Sequence, residues 1–265
     1  MKKNIPVEFI YQIFSLILVI ILVHGFYVSV VRPNADAELQ REQIEIRENP
    51  DYVSERSVYV IIREFEQEAC FILFFWAVAI MGYKGWSAMR QRSLLQADLV
   101  PVAEGMKILP EDTREYSRQI QALPSQLQES LLPRALLTAL HRFDSTRNVQ
   151  DVSQAAYEEC DAEADRLDSE LAMIRYIAWA IPSIGFIGTV RGIGAALAQA
   201  HKAVEGDIAG VTQSLGVAFN STFIALLLSI VLMFLVHQLQ LLQERLVLES
   251  KTYCDRRLIR HMKVR

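Results

Sequence analysis

Cysteine is scarce: Cys70, Cys160 and Cys254 stand far apart among 265 residues, without the short spacing of a metal-ligand pair. A disulfide framework and a zinc site are excluded as organising principles. Basic residues are not in excess either. The 27 Lys and Arg face 31 Asp and Glu, a formal net charge of -4, so no electrostatic footprint for nucleic acid is present. The five histidines, His24, His141, His201, His237 and His261, are scattered and read as incidental. No Ser/His/Asp set, phosphate loop or metal cluster is found, which argues against an enzyme, and neither a cofactor nor a metal is expected. The most informative shortage is local. Charged residues are 22% of the chain, yet some stretches run for more than twenty residues without one, and mean hydropathy is positive at +0.19. That partition belongs to a membrane protein and not to one soluble core.

A helix needs roughly 20 apolar residues to cross a hydrocarbon core about 30 Å thick. Phe9 to Val31 supplies 23 uncharged residues between Glu8 and Arg32. Ala69 to Tyr83 supplies only 15, extended by Lys84, which can snorkel, and by Trp86, which suits an interface. Tyr176 to Ala200 carries one charge, Arg191. Ile208 to Gln243 is uncharged throughout, roughly 54 Å of helix at 1.5 Å per residue, and must project beyond the bilayer. Ala35-Asp36-Ala37 has the form of a signal cleavage site, but the apolar region before it exceeds an h-region, so the first span is expected to be retained.

Lys2, Lys3, Lys84, Arg90, Arg92, Arg175 and the basic residues from Arg245 to Arg265 flank the spans on what must be the inner side, while Arg32 to Glu68 holds ten acids against five bases. The expectation is an all-α, polytopic membrane protein with four transmembrane helices, two extended into a cytoplasmic helical domain, and both termini cytoplasmic. Its parts are a first transmembrane helix (1–32), a periplasmic connection (33–68), a second transmembrane helix (69–86), a cytoplasmic helical region (87–171), a hairpin of the third and fourth spans (172–243) and a basic cytoplasmic tail (244–265). Pro101, Pro110, Pro124 and Pro133 are expected to cut the helical region into short pieces. From Val149 through Glu170 there is no Pro or Gly, so this last piece can run on into the third span.

In the third span, Gly188, Gly192, Ala196 and Ala200 recur at every fourth position and, with Gly185, predict a face for close helix packing. In the fourth, Ser214, Ala218, Thr222, Ala225 and Ser229 fall within roughly 80° of one another, a small and polar stripe that should face protein or a hydrated path and not lipid. Asn220 points the other way. No Asp or Glu interrupts an apolar run, although Glu68 sits at the outer margin of the second. An ion path therefore needs a carboxylate from a partner. Arg191 is expected to snorkel outward or to pair with an acid such as Glu68 or one on that partner. The acidic run Glu158, Glu159, Asp161, Glu163, Asp165, Asp168 and Glu170 is either a solvated face or, in a ring, a concentrator of cations at the cytoplasmic mouth.

Ile177 to Ile193, with Pro182, Gly185 and the core Gly188-Thr189-Val190-Arg191-Gly192, followed by Leu215 to Thr222, resembles the MotA/TolQ/ExbB proton-channel family, most strongly over 172–235. The resemblance implies a bacterial inner-membrane subunit forming a ring, typically of five copies, in membrane lipid around a dimer of a single-span ExbD/TolR/MotB-like partner that carries the membrane Asp. Such a stator or motor subunit turns proton motive force into mechanical work, with H⁺ as the transported ion and Na⁺ as the alternative. Thr189 and Thr222 match the family's pore threonines, and the expected ion path comprises Thr189, Thr222, Ser229 and Ser214. Val217 stands where ExbB-like members often have Glu, and Val231 where they often have Pro. The competing expectation is a non-conducting membrane scaffold that recruits cytoplasmic proteins through its helical domain.

Overall fold

The structure, a computed structural model, describes residues 7–48, 57–102 and 106–264. Lys2, Lys3 and Arg265 of the orientation argument lie outside the described residues, as does the middle of the first connection, 49–56. The fold is all-α. Helix α1 (Val7–Phe26) passes through a wider π turn, Tyr27–Val31, into α2 (Arg32–Glu48), so the helix continues well past its apolar run. There follow α3 (Val58–Ile62), α4 (Phe65–Ser93), α5 (Thr113–Gln121), α6 (Ser125–Gln128), α7 (Leu131–Thr146), α8 (Val149–Glu170), α9 (Ala172–Ala198), α10 (Ala200–Val204) and α11 (Ala209–Tyr253). Among the described residues, four helical stretches are long and apolar enough to cross a membrane: those containing α1, α4, α9 and α11. In α4, Glu66 and Glu68 in the first turn and Arg90 and Arg92 in the last complement the helix dipole.

Two prolines do not act as breakers. Pro133 is the third residue of α7, where its absent N–H has no intrahelical partner to lose. Pro182 sits inside α9, which continues through it. Between α8 and α9 the helical path is interrupted only at Leu171. Arg147 ends α7 in the left-handed conformation at φ 51°, and Gly206 takes φ 98° in the turn before α11, where lacking a Cβ makes it the least strained choice.

The chain divides into two compact units. The first comprises Met1–Met81 and Met173–Val236. There the Tyr11 hydroxyl donates to the Ala79 carbonyl at 3.1 Å and the Trp76 indole to Gln12 at 3.0 Å, while Val23, Tyr27 and Val31 pack against Phe71 and Ile72. These contacts tie α1 to α4. Their outward faces stay apolar and exposed, as a lipid solvent requires.

The second unit comprises Gly82–Ala172 and His237–Arg265. Its core is the α7 stripe Leu132, Leu136, Leu140 and Phe143 against Val152, Ala156 and Cys160 of α8. The basic C-terminal segment contributes too: Cys254, Leu258, Ile259 and Met262 are buried in this core, and Ile108 bridges the backbone at His261 and Lys263. The segment's arginines face outward, so its apolar positions anchor it while its charges stay solvated.

Candidate functional site

The first unit holds the antiparallel hairpin of α9 and α11. Its contact face is built from the small residues the periodicity predicts. A methyl group at Gly192 would stand 2.7 Å from the Ala218 Cβ and 2.8 Å from its backbone nitrogen, and one at Gly188 would stand 2.5 Å from the Ser221 Cβ. At Gly185 it would collide with Ala225. Gly185, Gly188, Gly192 and Ala196 are all buried, as are Ala218 and Ala225. The face therefore joins two helices of one chain. Ala200 leaves it, because α9 ends at Ala198 and Gln199 turns the chain. Ser221, opposite Gly188 and buried, belongs to this contact, though the sequence reading passed over it for its neighbour Thr222.

At the edge of this face Thr189 and Thr222 meet. Their hydroxyls hydrogen-bond each other directly, with either oxygen as donor. The Thr189 hydroxyl also lies 3.1 Å from the Ala218 carbonyl and 3.3 Å from the Gly185 carbonyl, and the Thr222 hydroxyl lies 3.3 Å from Gly185. Two protons thus serve more acceptors than they can satisfy at once. In one arrangement Thr189 donates to Thr222, which donates to Gly185; in the other Thr222 donates to Thr189, which donates to Ala218. The pair can reverse direction without moving the backbone. Both residues are half-buried: within about 60° on one side stand the exposed Phe186 and Ile193 of α9 and Phe219 and Leu226 of α11, and on the other the buried Gly185, Gly192, Ala218 and Ala225 of the seam. A hydroxyl pair is set at the border between the seam and an exposed apolar surface.

The two serines of the expected path have local partners. Pro182 lacks the N–H that would bond the Ala178 carbonyl, and the Ser229 hydroxyl donates to that carbonyl at 3.1 Å. Ser214 donates to Gly210 at 2.9 Å and accepts from Gln199 at 3.2 Å, near the turn of the hairpin. The roles of Pro182 and Ser229 are separable by a double-mutant cycle. Ser229→Ala is expected to cost about 0.6–1 kcal/mol in the native sequence and nothing measurable in a Pro182→Ala background, where an N–H serves Ala178 again. Thermal unfolding of the four proteins in one detergent measures it; equal costs in both backgrounds contradict the assignment.

Charge gathers where α4 begins. Arg191 pairs with Glu64 at 2.8 Å and with Glu66 through two contacts at 2.6 and 2.8 Å. Its acids are these two and not Glu68, which accepts from Arg32 at 2.5 Å and meets His24 Nδ1 at 2.7 Å. His24 is therefore a partner and not incidental. The reason is register: α4 starts at Phe65, and Glu66 comes within 3.4 Å of the space at Gly188 on α9, while Glu68 meets Arg32 and His24 of the first span. Burial disfavours the Glu64 carboxylate, but Arg191 and Arg63 outweigh it and hold its carboxyl below the usual range. Arg191 stands about 160° round α9 from Thr189, on the side away from the hydroxyl pair.

In the second unit the acidic run of α8 is largely neutralised within the chain. Glu163, 2% exposed, is held by Arg134 at 2.9 Å and Arg166 at 2.6 Å. Glu159 pairs with Arg134, Asp161 with Lys251, and Glu170 with Lys84 and Arg166. Glu158 accepts from Gln154, and Asp165 and Asp168 are exposed. Glu163→Gln is expected to destabilise by about 2 kcal/mol, because Arg134 loses its buried counter-ion, whereas exposed Glu158→Gln stays within about 0.5 kcal/mol. Equal melting temperatures for the two variants would count against the network.

Residues 126–252, 127 of the 265, match the family model of the MotA/TolQ/ExbB proton channel family. No curated protein and no solved structure matches the chain. The matched stretch includes α7, α8, α9, α10 and all of α11 but its last residue, with Thr189 and Thr222. The family is of channel type and works in membrane complexes. Residues 126–252 are thus similar to the MotA/TolQ/ExbB proton channel family, in a chain whose described residues hold four helices long and apolar enough to span a bilayer.

Proposed function

We propose that the chain is the ring-forming subunit of a stator-like motor in the bacterial inner membrane, with both termini in the cytoplasm. Five copies surround a dimer of a single-span ExbD/TolR/MotB-like protein, and protons passing by way of that partner's intramembrane Asp drive mechanical work. One observation carries the reading: the Thr189–Thr222 hydroxyl pair, reversible in direction, sits on an exposed apolar face of a chain whose apolar runs contain no Asp or Glu. A proton path across hydrocarbon needs an ionisable group. Here it comes from outside the chain, and an apolar face with hydroxyls along its border with the seam suits a helix bearing a single carboxylate. Ser214 and Ser229 have their own partners and serve the hairpin rather than the ion.

The test is reconstitution. Neighbouring reading frames are searched for a single-span protein with an intramembrane Asp, and both proteins are placed in liposomes under a proton or a sodium gradient. Flux that vanishes with the partner's Asp→Asn variant supports the reading, and the gradient that drives it names the ion. A stable complex without flux in either gradient favours a scaffold.

A further inference from the structure

Where the turn after α4 meets the end of α11, the second unit carries a groove of about 370 Å³, lined by Leu95, Leu248 and Tyr253 together with Glu249, Arg256 and Arg257. Its charge is one-sided. Glu249 is taken up by Arg92, whose guanidinium donates to both carboxylate oxygens, at 2.7 and 3.0 Å. Arg257 stands 4.0 Å from Asp98 with both side chains more than half exposed, and the exposed Arg256 makes no ion pair or hydrogen bond with any described residue. Leu248, 65% exposed, leaves apolar surface open beside them. Arg256 is thirteen residues past Gln243, the last of the uncharged run, which is about 20 Å of helix and out of reach of lipid headgroups. The groove therefore suits a protein surface that offers a carboxylate with a small apolar residue near it.

The outer face of α8 has that composition. Glu158 is exposed, accepts from Gln154 at 2.8 Å, and pairs with no base among the described residues. Four positions on, Ala162 is exposed as well. This face points away from the groove of its own chain: Glu158 lies about 180° round α8 from Leu167, and Glu249 about 200° round α11 from Val247, where the two helices share the core. We propose that the groove receives the outer face of α8 from the next copy, with Glu158 held by Arg256 and Ala162 covering Leu248. The inference rests on the ring assembly proposed above.

A ring supplies what this contact needs. Its operator turns each copy about one axis without shifting it along that axis, and its interfaces are heterologous, one flank against another. For helices that run along the axis, mating groups must share a level. Leu171 and Gln240 border one depression while Asp161 pairs with Lys251, so α8 and α11 run antiparallel in a fixed register. From the Asp161–Lys251 pair, Glu158 and Arg256 lie about 4.5 and 7.5 Å in one direction, and Ala162 and Leu248 about 1.5 and 4.5 Å in the other. Each mating pair thus differs by about 3 Å in level, within the span of an Arg or Leu side chain. The planar guanidinium can take both oxygens of Glu158, which fixes the angle of approach.

Native mass spectrometry of the full chain in mild detergent tests the contact. Arg256→Glu is expected to reduce the ring population about tenfold at equal concentration, which is about 1.4 kcal/mol. Glu158→Arg is expected to do the same. Both changes in one chain restore the ring, because the charges are exchanged and not removed. Circular dichroism melting checks that each variant folds. As a measurement independent of charge, Leu248→Cys with Ala162→Cys should give a ladder of disulfide-linked multimers on mild oxidation, which a bond within one chain cannot produce. The native cysteines are buried, which pushes the Cys160 thiol up to about 11 and Cys254 higher still, so they do not compete. An Arg256→Glu protein that assembles like wild type, an exchanged pair that does not restore the ring, or a ring that gives no ladder overturns this contact alone and leaves the groove to an acidic segment of another protein. A wild type that never assembles overturns the ring and the contact together.

Discussion

Liposomes holding Thr222→Val and the Asp-bearing partner are expected to pass protons no faster than liposomes holding the partner's Asp→Asn variant. Valine keeps nearly the shape of threonine, so the α9–α11 contact survives. Its loss of the hydroxyl removes one of the two members that exchange donor direction, and Thr189 is left donating to the Ala218 or Gly185 carbonyl. No buried carbonyl is orphaned, and the stability cost stays at about 1 kcal/mol or below. What disappears is a donor that can turn toward an approaching carboxylate and an acceptor that can take its proton in hydrocarbon, where nothing else offers either. Thr189→Val should reduce flux equally or less, since Thr222 keeps the Gly185 carbonyl as acceptor. Expression, assembly and partner binding are measured alongside. Wild-type flux through Thr222→Val would make these threonines packing residues and would place the ion path elsewhere.

Missing charge marked the spans well, and four-residue spacing marked the faces of α9 and α11 that meet. Spacing identifies a face but not the surface opposite it, which is why a seam within one chain was indistinguishable from a seam between copies. It also carried the face one step too far, to Ala200, because nothing in an Ala-rich run announces that the helix ends at Ala198. Ser229 read as part of a polar path, yet Pro182 fixes what it does, since a proline frees the carbonyl four residues before it. The freed group was legible; the identity of its donor, 51 positions away, was not. For Arg191, acids at 64, 66 and 68 were equivalent until the start of α4 at Phe65 decided which of them faced α9. The helical continuation of α1 into α2 had no apolar face to betray it, because a mostly polar segment leaves no period to detect.

The other large effect belongs to Gly192. Gly192→Leu is expected to abolish recovery of folded protein from the membrane, whereas Gly194→Leu, two residues away, should behave like wild type. A Cβ at Gly192 meets the Ala218 backbone nitrogen at 2.8 Å and its Cα at 2.9 Å, atoms that no rotamer change can move aside. At Gly194 nothing lies within 4 Å, so the same side chain enters open space on the outer surface. Overpacking of a seam usually costs 1–3 kcal/mol, and a clash against backbone belongs at about 3 kcal/mol or above. Relief demands that α9 and α11 separate. Separation exposes Ser221 and the Ala178 carbonyl to lipid and parts the Thr189–Thr222 pair, so the loss spreads along the hairpin. The failure is thus expected in the single subunit, before any assembly. Yield and size-exclusion profile in one detergent, with Gly192→Ala as an intermediate case, report it. A Gly192→Leu protein that is recovered at wild-type yield but cannot form rings would move this glycine face from the inside of the hairpin to the boundary between copies.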